Sequence, residues 1–206
     1  SNCIKNFMEQ NYLINTIFGP TIQGEGALMG TPCAFLRLSK CNLWDGKEES
    51  RHLAECKICD TDFLEYKKMT AEQIVSELKF YKNYAEWLVV SGGEPLLQFD
   101  FNLASQLKDW KLCIETNGTQ AIDFEVDHLS FSPKTKKERI KLKKCDSLKI
   151  LWPDPFGLLQ EFDSFPAKKR FLQPIDGQVN STLDKLYALG GRYALSPQLH
   201  KYIGVK

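Results

Sequence analysis

Short apolar runs alternate with amphipathic stretches along almost the whole 206-residue chain, and this alternation limits most strongly what it can fold into. Strands are predicted over 13–18, 34–39, 87–91, 111–115, 129–132, 147–151, 170–173 and 192–195, most of them short and apolar, as buried parallel strands are. Between them, Thr70 to Tyr81 reads as a helix: Thr70 can cap it, Gln73 stands at the capping-box position, and Ile74, Val75 and Leu78 share a face. The stretches 101–110 and 181–189 are weaker helical candidates. Such alternation implies βα units around a parallel sheet, wound by the right-handed crossover into an open or partly closed barrel, an α/β fold of partial TIM type.

No repeat, low-complexity tract or Pro/Gly-rich linker divides the chain, so residues 8–206 are expected to form a single domain; 1–7, which precede Met8, stay outside the fold argument. With 27 basic residues facing 26 acidic ones, there is no global electrostatic case for nucleic acid. No apolar run approaches the roughly 18 residues that span a bilayer, and the start SNCIKNFMEQ lacks a signal peptide's apolar core, so a cytoplasmic protein is expected. In that reducing compartment seven cysteines read as metal ligands and buried thiols rather than disulfides. Cys3, Cys113 and Cys145 are dispersed, and Cys113 lies within an apolar strand, as a core thiol would.

Polar residues gather where the predicted strands end: Ser91-Gly92-Gly93-Glu94, Glu115-Thr116-Asn117-Gly118, Ser132-Pro133-Lys134, Gln173-Pro174 and Ser196-Pro197-Gln198. In parallel βα architectures these ends face one side, where such folds build their sites. Five separate segments are thus expected to converge on one pocket.

Cys41, Cys56 and Cys59 form the set with most chemical content. Three thiolates can hold three irons of a four-iron cluster and leave the fourth open to a ligand. The pair Cys56-x2-Cys59 also suits zinc, with Cys33 or His52 as the nearest fourth ligand, and thioredoxin-like redox sites. The latter fits less well, because Cys56 follows the charged stretch 45–55 rather than a strand. Asp60 and Thr61 follow the last cysteine and offer oxygen ligands of the kind Mg²⁺ takes, or simply cap a turn. In SGGEP the glycines allow close backbone approach to a ligand, Glu94 offers an acceptor to an ammonium group and Pro95 fixes the turn. The dinucleotide pattern GxGxxG and the phosphate-binding GxxxxGK[ST] are both absent. Arg37 lies inside an apolar strand, where an unpaired charge is costly, which favours a site role over a structural ion pair.

Taken together, Cys41-x14-Cys56-x2-Cys59 with Asp60-Thr61, the segment SGGEP and QGEG at 23–26 resemble the radical S-adenosylmethionine enzymes, and within them the 7-carboxy-7-deazaguanine synthase family. The resemblance runs from Ile17 to Gly26, through Glu115 to Gly118, to the tail 196–201. The superfamily's usual pattern is Cys-x3-Cys-x2-Cys; here the fourteen residues 42–55 replace the first three, a lengthening that costs little entropy if the cluster holds its ends.

The resemblance implies a [4Fe-4S] cluster on Cys41, Cys56 and Cys59 whose open iron takes S-adenosylmethionine. For that cofactor it implies contacts from Ile58, Cys59 and Asp60, from Gly93 and Glu94 near the methionine amino group, and from Ser132, Pro133, Lys134 and Gln173. The implied substrate is 6-carboxy-5,6,7,8-tetrahydropterin. Ile22, Gln23, Gly24 and Glu25 would read the pterin edge, Arg37 the carboxylate and Ser91 would supply a hydroxyl, while His200 and the terminal carboxylate of Lys206 close the pocket. Thr61 would bind Mg²⁺ beside the substrate carboxylate.

The implied reaction is a ring contraction: a 5′-deoxyadenosyl radical takes a hydrogen from the carbon bearing the carboxylate, and the ring rearranges with loss of ammonia to 7-carboxy-7-deazaguanine, a precursor of queuosine-type bases. It also implies a flavodoxin- or ferredoxin-type electron donor and a homodimer. A glycyl-radical-enzyme activase, with an open groove for a protein substrate, and a non-enzymatic zinc module are the alternatives.

Overall fold

In a computed structural model that describes residues 10–59 and 62–205, the alternating pattern becomes one continuous sheet. Its strands are β1 (Tyr12–Ile22), β2 (Pro32–Leu38), β3 (Lys67–Met69), β4 (Trp87–Gly92), β5 (Lys111–Thr116), β6 (His128–Phe131), β7 (Cys145–Trp152), β8 (Ala167–Pro174) and β9 (Ala194–Leu195), in the spatial order β3-β1-β2-β4-β5-β6-β7-β8-β9. From β2 onward every neighbouring pair is parallel, and β3 and β9 remain as edges, so the barrel is open.

The first strand departs from the expected parallel arrangement. It runs on to Ile22 and pairs antiparallel with β2, because the connection 23–31 is too short to carry a crossover, which takes a dozen residues or more. β3 was invisible as a strand: its three residues Lys67-Lys68-Met69 carry the lysines that protect an edge, and only pairing with Tyr12–Ile14 makes them one. β9 keeps only the last two of its four predicted residues.

The helices are α1 (Ala71–Leu78), α2 (Phe101–Gln106), α3 (Leu159–Phe162), α4 (Val179–Ala188) and α5 (Leu199–Ile203). α1 begins as the sequence predicts. Thr70 Oγ1 accepts from the Gln73 N–H at 3.3 Å, Gln73 Oε1 accepts from the Thr70 N–H at 2.9 Å, and Ala71, Ile74 and Leu78 are buried. It stops short of Tyr81 because Phe80 and Tyr84 find no core to cover them and stay exposed. α2, capped by Asp100 accepting from the Leu103 N–H at 3.0 Å, is likewise shorter than 101–110. α3 and α5 are too brief to show a helical period.

Alternation along the parallel strands sorts side chains onto two faces. Ala34, Leu36 and Leu38 of β2, Leu88 and Val90 of β4, and Leu112 and Ile114 of β5 pack under Ile74, Leu78 and Leu103 of the helices. On the other face Cys33, Phe35, Val89 and Cys113 form a small apolar floor. One pleat further along, the same face carries Arg37, Ser91 and Glu115 toward the strand ends. Among the described residues no helix is long and apolar enough to cross a membrane.

Candidate active site

Above that floor lies a cavity of about 490 Å³. Its wall brings together Cys41, Cys56, Ile58 and Cys59 with Ile22, Gln23, Gly24 and Glu25 from the end of β1, and Arg37 and Ser91 from β2 and β4. Gly93, Ser132, Lys134, Gln173 and His200 complete the predicted set on the wall. Asp60, Thr61 and Lys206 lie outside the described residues.

Two predicted residues are placed elsewhere. Pro133 is buried off the wall. Glu94, expected to face a ligand's ammonium group, is instead fully buried, and its carboxylate accepts from the Asn117 N–H at 2.7 Å, the Thr116 hydroxyl at 2.8 Å and the Leu96 N–H at 3.0 Å. It fastens the end of β4 to the end of β5. Burial nevertheless raises its carboxyl to about 7 against these donors.

The glycines of SGGEP also act within the chain. A Cβ on Gly92, whose φ is +136°, would sit 1.9 Å from the Leu38 carbonyl oxygen, and one on Gly93 2.1 Å from that of Lys40. This close approach lets the Gly93 N–H donate to Leu38 O at 3.1 Å and the Glu94 N–H to Lys40 O at 2.8 Å, which sets Cys41 beside the end of β4.

The segment 42–55 is a tied loop. The Leu43 N–H donates to Cys41 Sγ at 3.5 Å, and the Leu43 carbonyl accepts from the N–H groups of Glu55 at 3.1 Å and Cys56 at 3.4 Å, so the loop departs and returns at one point. Its middle is a 3₁₀ turn over Glu48–Leu53, and Trp44 is buried edge-on against Phe63 with ring centroids 5.6 Å apart. The long spacing therefore leaves the first and second cysteines adjacent.

Three residues not singled out from sequence complete the interior: Lys149, Glu115 and Gln198. The Lys149 ammonium pairs with Glu25, whose other oxygen accepts from Gln198 Nε2 at 2.9 Å and Gln173 Nε2 at 3.1 Å; Gln23 Nε2 donates to Glu115 at 3.1 Å. Burial alone would raise the Glu25 carboxyl, but Lys149 outweighs it and holds Glu25 well below the usual range. For Glu115 burial wins, and its carboxyl is raised despite Lys149. Burial, reinforced by the Lys149 charge, pulls the Lys134 ammonium down to about 8. Lys149 carried the same signal as Arg37, a charge inside an apolar strand; Gln198 carried none beyond its place in a strand-end cluster.

Arg37 is prepared for an anion. Its guanidinium carbon stands 5.3 Å from the Phe18 ring centroid and 5.7 Å from that of Phe35, two rings stacked with centroids 4.9 Å apart, and its Nε is buried with no hydrogen-bond partner among the described residues. Arg37 also lines the cavity, where its charge suits a ligand carboxylate.

Three thiols on one cavity wall form a donor set that a four-iron cluster with one open iron could use. Burial pushes Cys41 and Cys56 up, each with a further rise from the neighbouring cysteines, so metal binding would have to displace their protons. Among the described residues no group of three or more His, Cys, Asp and Glu is gathered as for a single metal ion. The zinc alternative also loses its fourth ligands: Cys33 is buried in the floor and His52 is exposed. The Leu43 N–H on Cys41 Sγ is a contact of the kind that tunes cluster sulfurs.

No family model matches the chain. Curated proteins named 7-carboxy-7-deazaguanine synthase do: that of Caulobacter vibrioides is 33% identical, covering 94% of this chain and 99% of its own, and that of Bradyrhizobium diazoefficiens is 34% identical, covering 95% and 100%. The protein of that name from Burkholderia multivorans is 32% identical over 94% of this chain and 99% of its own. Among solved structures, the crystal structure of QueE from Escherichia coli superposes with a TM-score of 0.68 at 23% identity, covering 92% of this chain and 95% of that one, which supports the open, mostly parallel α/β architecture.

Proposed function

This chain belongs to the 7-carboxy-7-deazaguanine synthase family, and we propose that it carries out the reaction in that name, the radical S-adenosylmethionine-dependent ring contraction of 6-carboxy-5,6,7,8-tetrahydropterin to 7-carboxy-7-deazaguanine with loss of ammonia, in queuosine and 7-deazapurine biosynthesis. The observation that carries this reading is one cavity shared by three cysteines and an arginine whose Nε has no hydrogen-bond partner among the described residues. It sets a cluster site and a carboxylate site on the wall of one cavity.

In this reading Cys41, Cys56 and Cys59 hold the [4Fe-4S] cluster, and Ile58, Asp60, Gly93, Ser132, Lys134 and Gln173 serve S-adenosylmethionine, which together supply the radical chemistry when bound. The chain's own task is placement. Arg37 orients the substrate by its carboxylate, Gln23 and Glu25 read its donor edge, Ser91 adds a hydroxyl, and His200 shuts out water from the α5 side, with the terminal carboxylate of Lys206 assigned to the substrate by the family resemblance alone. Thr61 is assigned to Mg²⁺ on its oxygen donor and its place after Cys59. Glu94 acts from behind, by fixing the β4 and β5 ends. The reading takes residues 8–206 as one domain, supported by a single sheet running from Tyr12 to Leu195, working in the cytoplasm as a homodimer fed by a flavodoxin- or ferredoxin-type donor.

Anaerobic reconstitution tests it. The protein should take up iron and sulfide with a broad brown absorbance, and cleave S-adenosylmethionine under reduction; Cys56→Ala should abolish both. A colourless protein holding stoichiometric zinc would support the zinc module instead.

A further inference from the structure

The cysteine pair that ends the binding loop is held by a side chain from inside the fourteen-residue spacer 42–55. Arg51 Nη1 donates to the Lys57 carbonyl at 3.0 Å and to the Cys59 carbonyl at 3.2 Å. The same guanidinium lies 3.9 Å from the ring centroid of buried Trp44, donates from Nε to Glu48 Oε2 at 2.7 Å and pairs through Nη2 with Glu48 Oε1. One planar group therefore joins three parts of the loop: its buried anchor, its 3₁₀ turn and the turn between Cys56 and Cys59.

We propose that Arg51 is a positioning residue for the cluster-binding turn, clamping the Lys57 and Cys59 carbonyls so that the Cys56 and Cys59 thiols keep the spacing a cluster requires. This rests on the reading of the three cysteines as cluster ligands. The physical case is that Leu43 ties the start of the turn at Cys56, whereas the Lys57 and Cys59 carbonyls beyond it both turn to one donor, which has to be fixed in direction. A guanidinium supplies this: its fork is rigid, Glu48 holds one edge and Trp44 holds the face. A lysine at this position would carry the charge without the geometry. Arg51 also sets a positive charge beside a group made negative by its thiolates, which favours the reduced cluster. The insertion is thus the support of the cluster site and no mere spacer.

Wild type, Arg51→Lys and Arg51→Met are reconstituted anaerobically and compared by iron and sulfide content, the rate at which a chelator extracts the iron, the electron paramagnetic resonance spectrum of the reduced cluster with and without S-adenosylmethionine, and the reduction potential. Removing an outer partner of a metal site typically costs about 10–100-fold in affinity, so Arg51→Met should lose iron at least about tenfold faster and show a weakened spectral response to S-adenosylmethionine. Its potential should move to a more negative value, with far-UV circular dichroism unchanged. Arg51→Lys should keep the potential near that of wild type while still losing iron faster, which separates charge from clamp and carries the test if the methionine variant does not fold. Wild-type extraction rates and spectra in both variants would overturn the assignment and leave the functional reading standing. A wild-type protein that takes up no cluster would overturn both.

Discussion

The ammonium of Lys149 on β7 meets the carboxylate of Glu25 just beyond β1, joining opposite sides of the open barrel through its interior. Both side chains are nearly buried, so the pair matters less for what it gains than for what its disruption would leave behind.

Replacing Lys149 by methionine leaves the Glu25 carboxylate buried without its counter-charge, and should lower the unfolding free energy by about 3 kcal/mol or more at neutral pH. The pH dependence carries a sign. In wild type the Glu25 pKa is depressed, so its stabilising contribution is present above the ordinary carboxylate range and is lost as pH falls through the depressed value. In the variant burial is opposed mainly by the neutral Gln198 and Gln173 donors and should raise that pKa, so the deficit should shrink on acidification from pH 7 toward 5. Glu25→Gln combined with Lys149→Met should recover much of the loss. Urea titrations across that range check this; a deficit independent of pH would contradict it.

Glu94 behaves in the opposite sense. With its carboxyl raised from 4.5 to about 7, its contribution is fully present below the unfolded value and is lost as pH rises through the folded one. Glu94→Gln does not titrate. The stability of wild type relative to Glu94→Gln should therefore fall between pH 5 and 8, and a flat difference would show that the three donors, not burial, decide its charge.

Arg37 should separate stability from binding. Its Nε has no hydrogen-bond partner among the described residues, so Arg37→Met should cost little stability beyond its contacts with the Phe18 and Phe35 rings and its charge beside Glu115. The same change should weaken binding of the carboxylated pterin by about 2–5 kcal/mol, or roughly 30-fold or more, the range for truncating one side of a buried charge pair. Anaerobic calorimetry with the substrate, and with its decarboxylated analogue as control, tests this: equal losses for both ligands would remove Arg37 from carboxylate recognition.

Gly24 permits the contact that closes the cavity from the C-terminal side. A Cβ there would lie 2.0 Å from His200 Nδ1, while the Gly24 carbonyl accepts from the Leu199 N–H at 2.9 Å. Gly24→Ala should push α5 outward, raising KM for the pterin with cluster content unchanged. An unaltered KM would mean that α5 does not bear on the substrate.

The parallel strands and the site's main parts were legible because both depend on local pattern. Apolar runs marked β2, β4 and β5, polar clusters marked their ends, and the cysteines singled out from the sequence do line one cavity. What stayed hidden depends on contacts across the chain. The direction of β1 follows from the length of the link to β2, and β3 exists only through its pairing with Tyr12–Ile14. Glu94 could be read as a ligand contact because sequence cannot show that Asn117, Thr116 and Leu96 come to meet it. Lys149 was legible and passed over: a lysine between Leu148 and Ile150 carried the argument that singled out Arg37.

The ring contraction itself can be observed directly. The reconstituted, reduced protein is incubated with 6-carboxy-5,6,7,8-tetrahydropterin, S-adenosylmethionine and Mg²⁺, and the products are resolved by mass spectrometry. The predicted result is 7-carboxy-7-deazaguanine, appearing in step with ammonia and absent without reductant. Recovery of the pterin unchanged, from protein whose cluster is intact and cleaves S-adenosylmethionine, would contradict it.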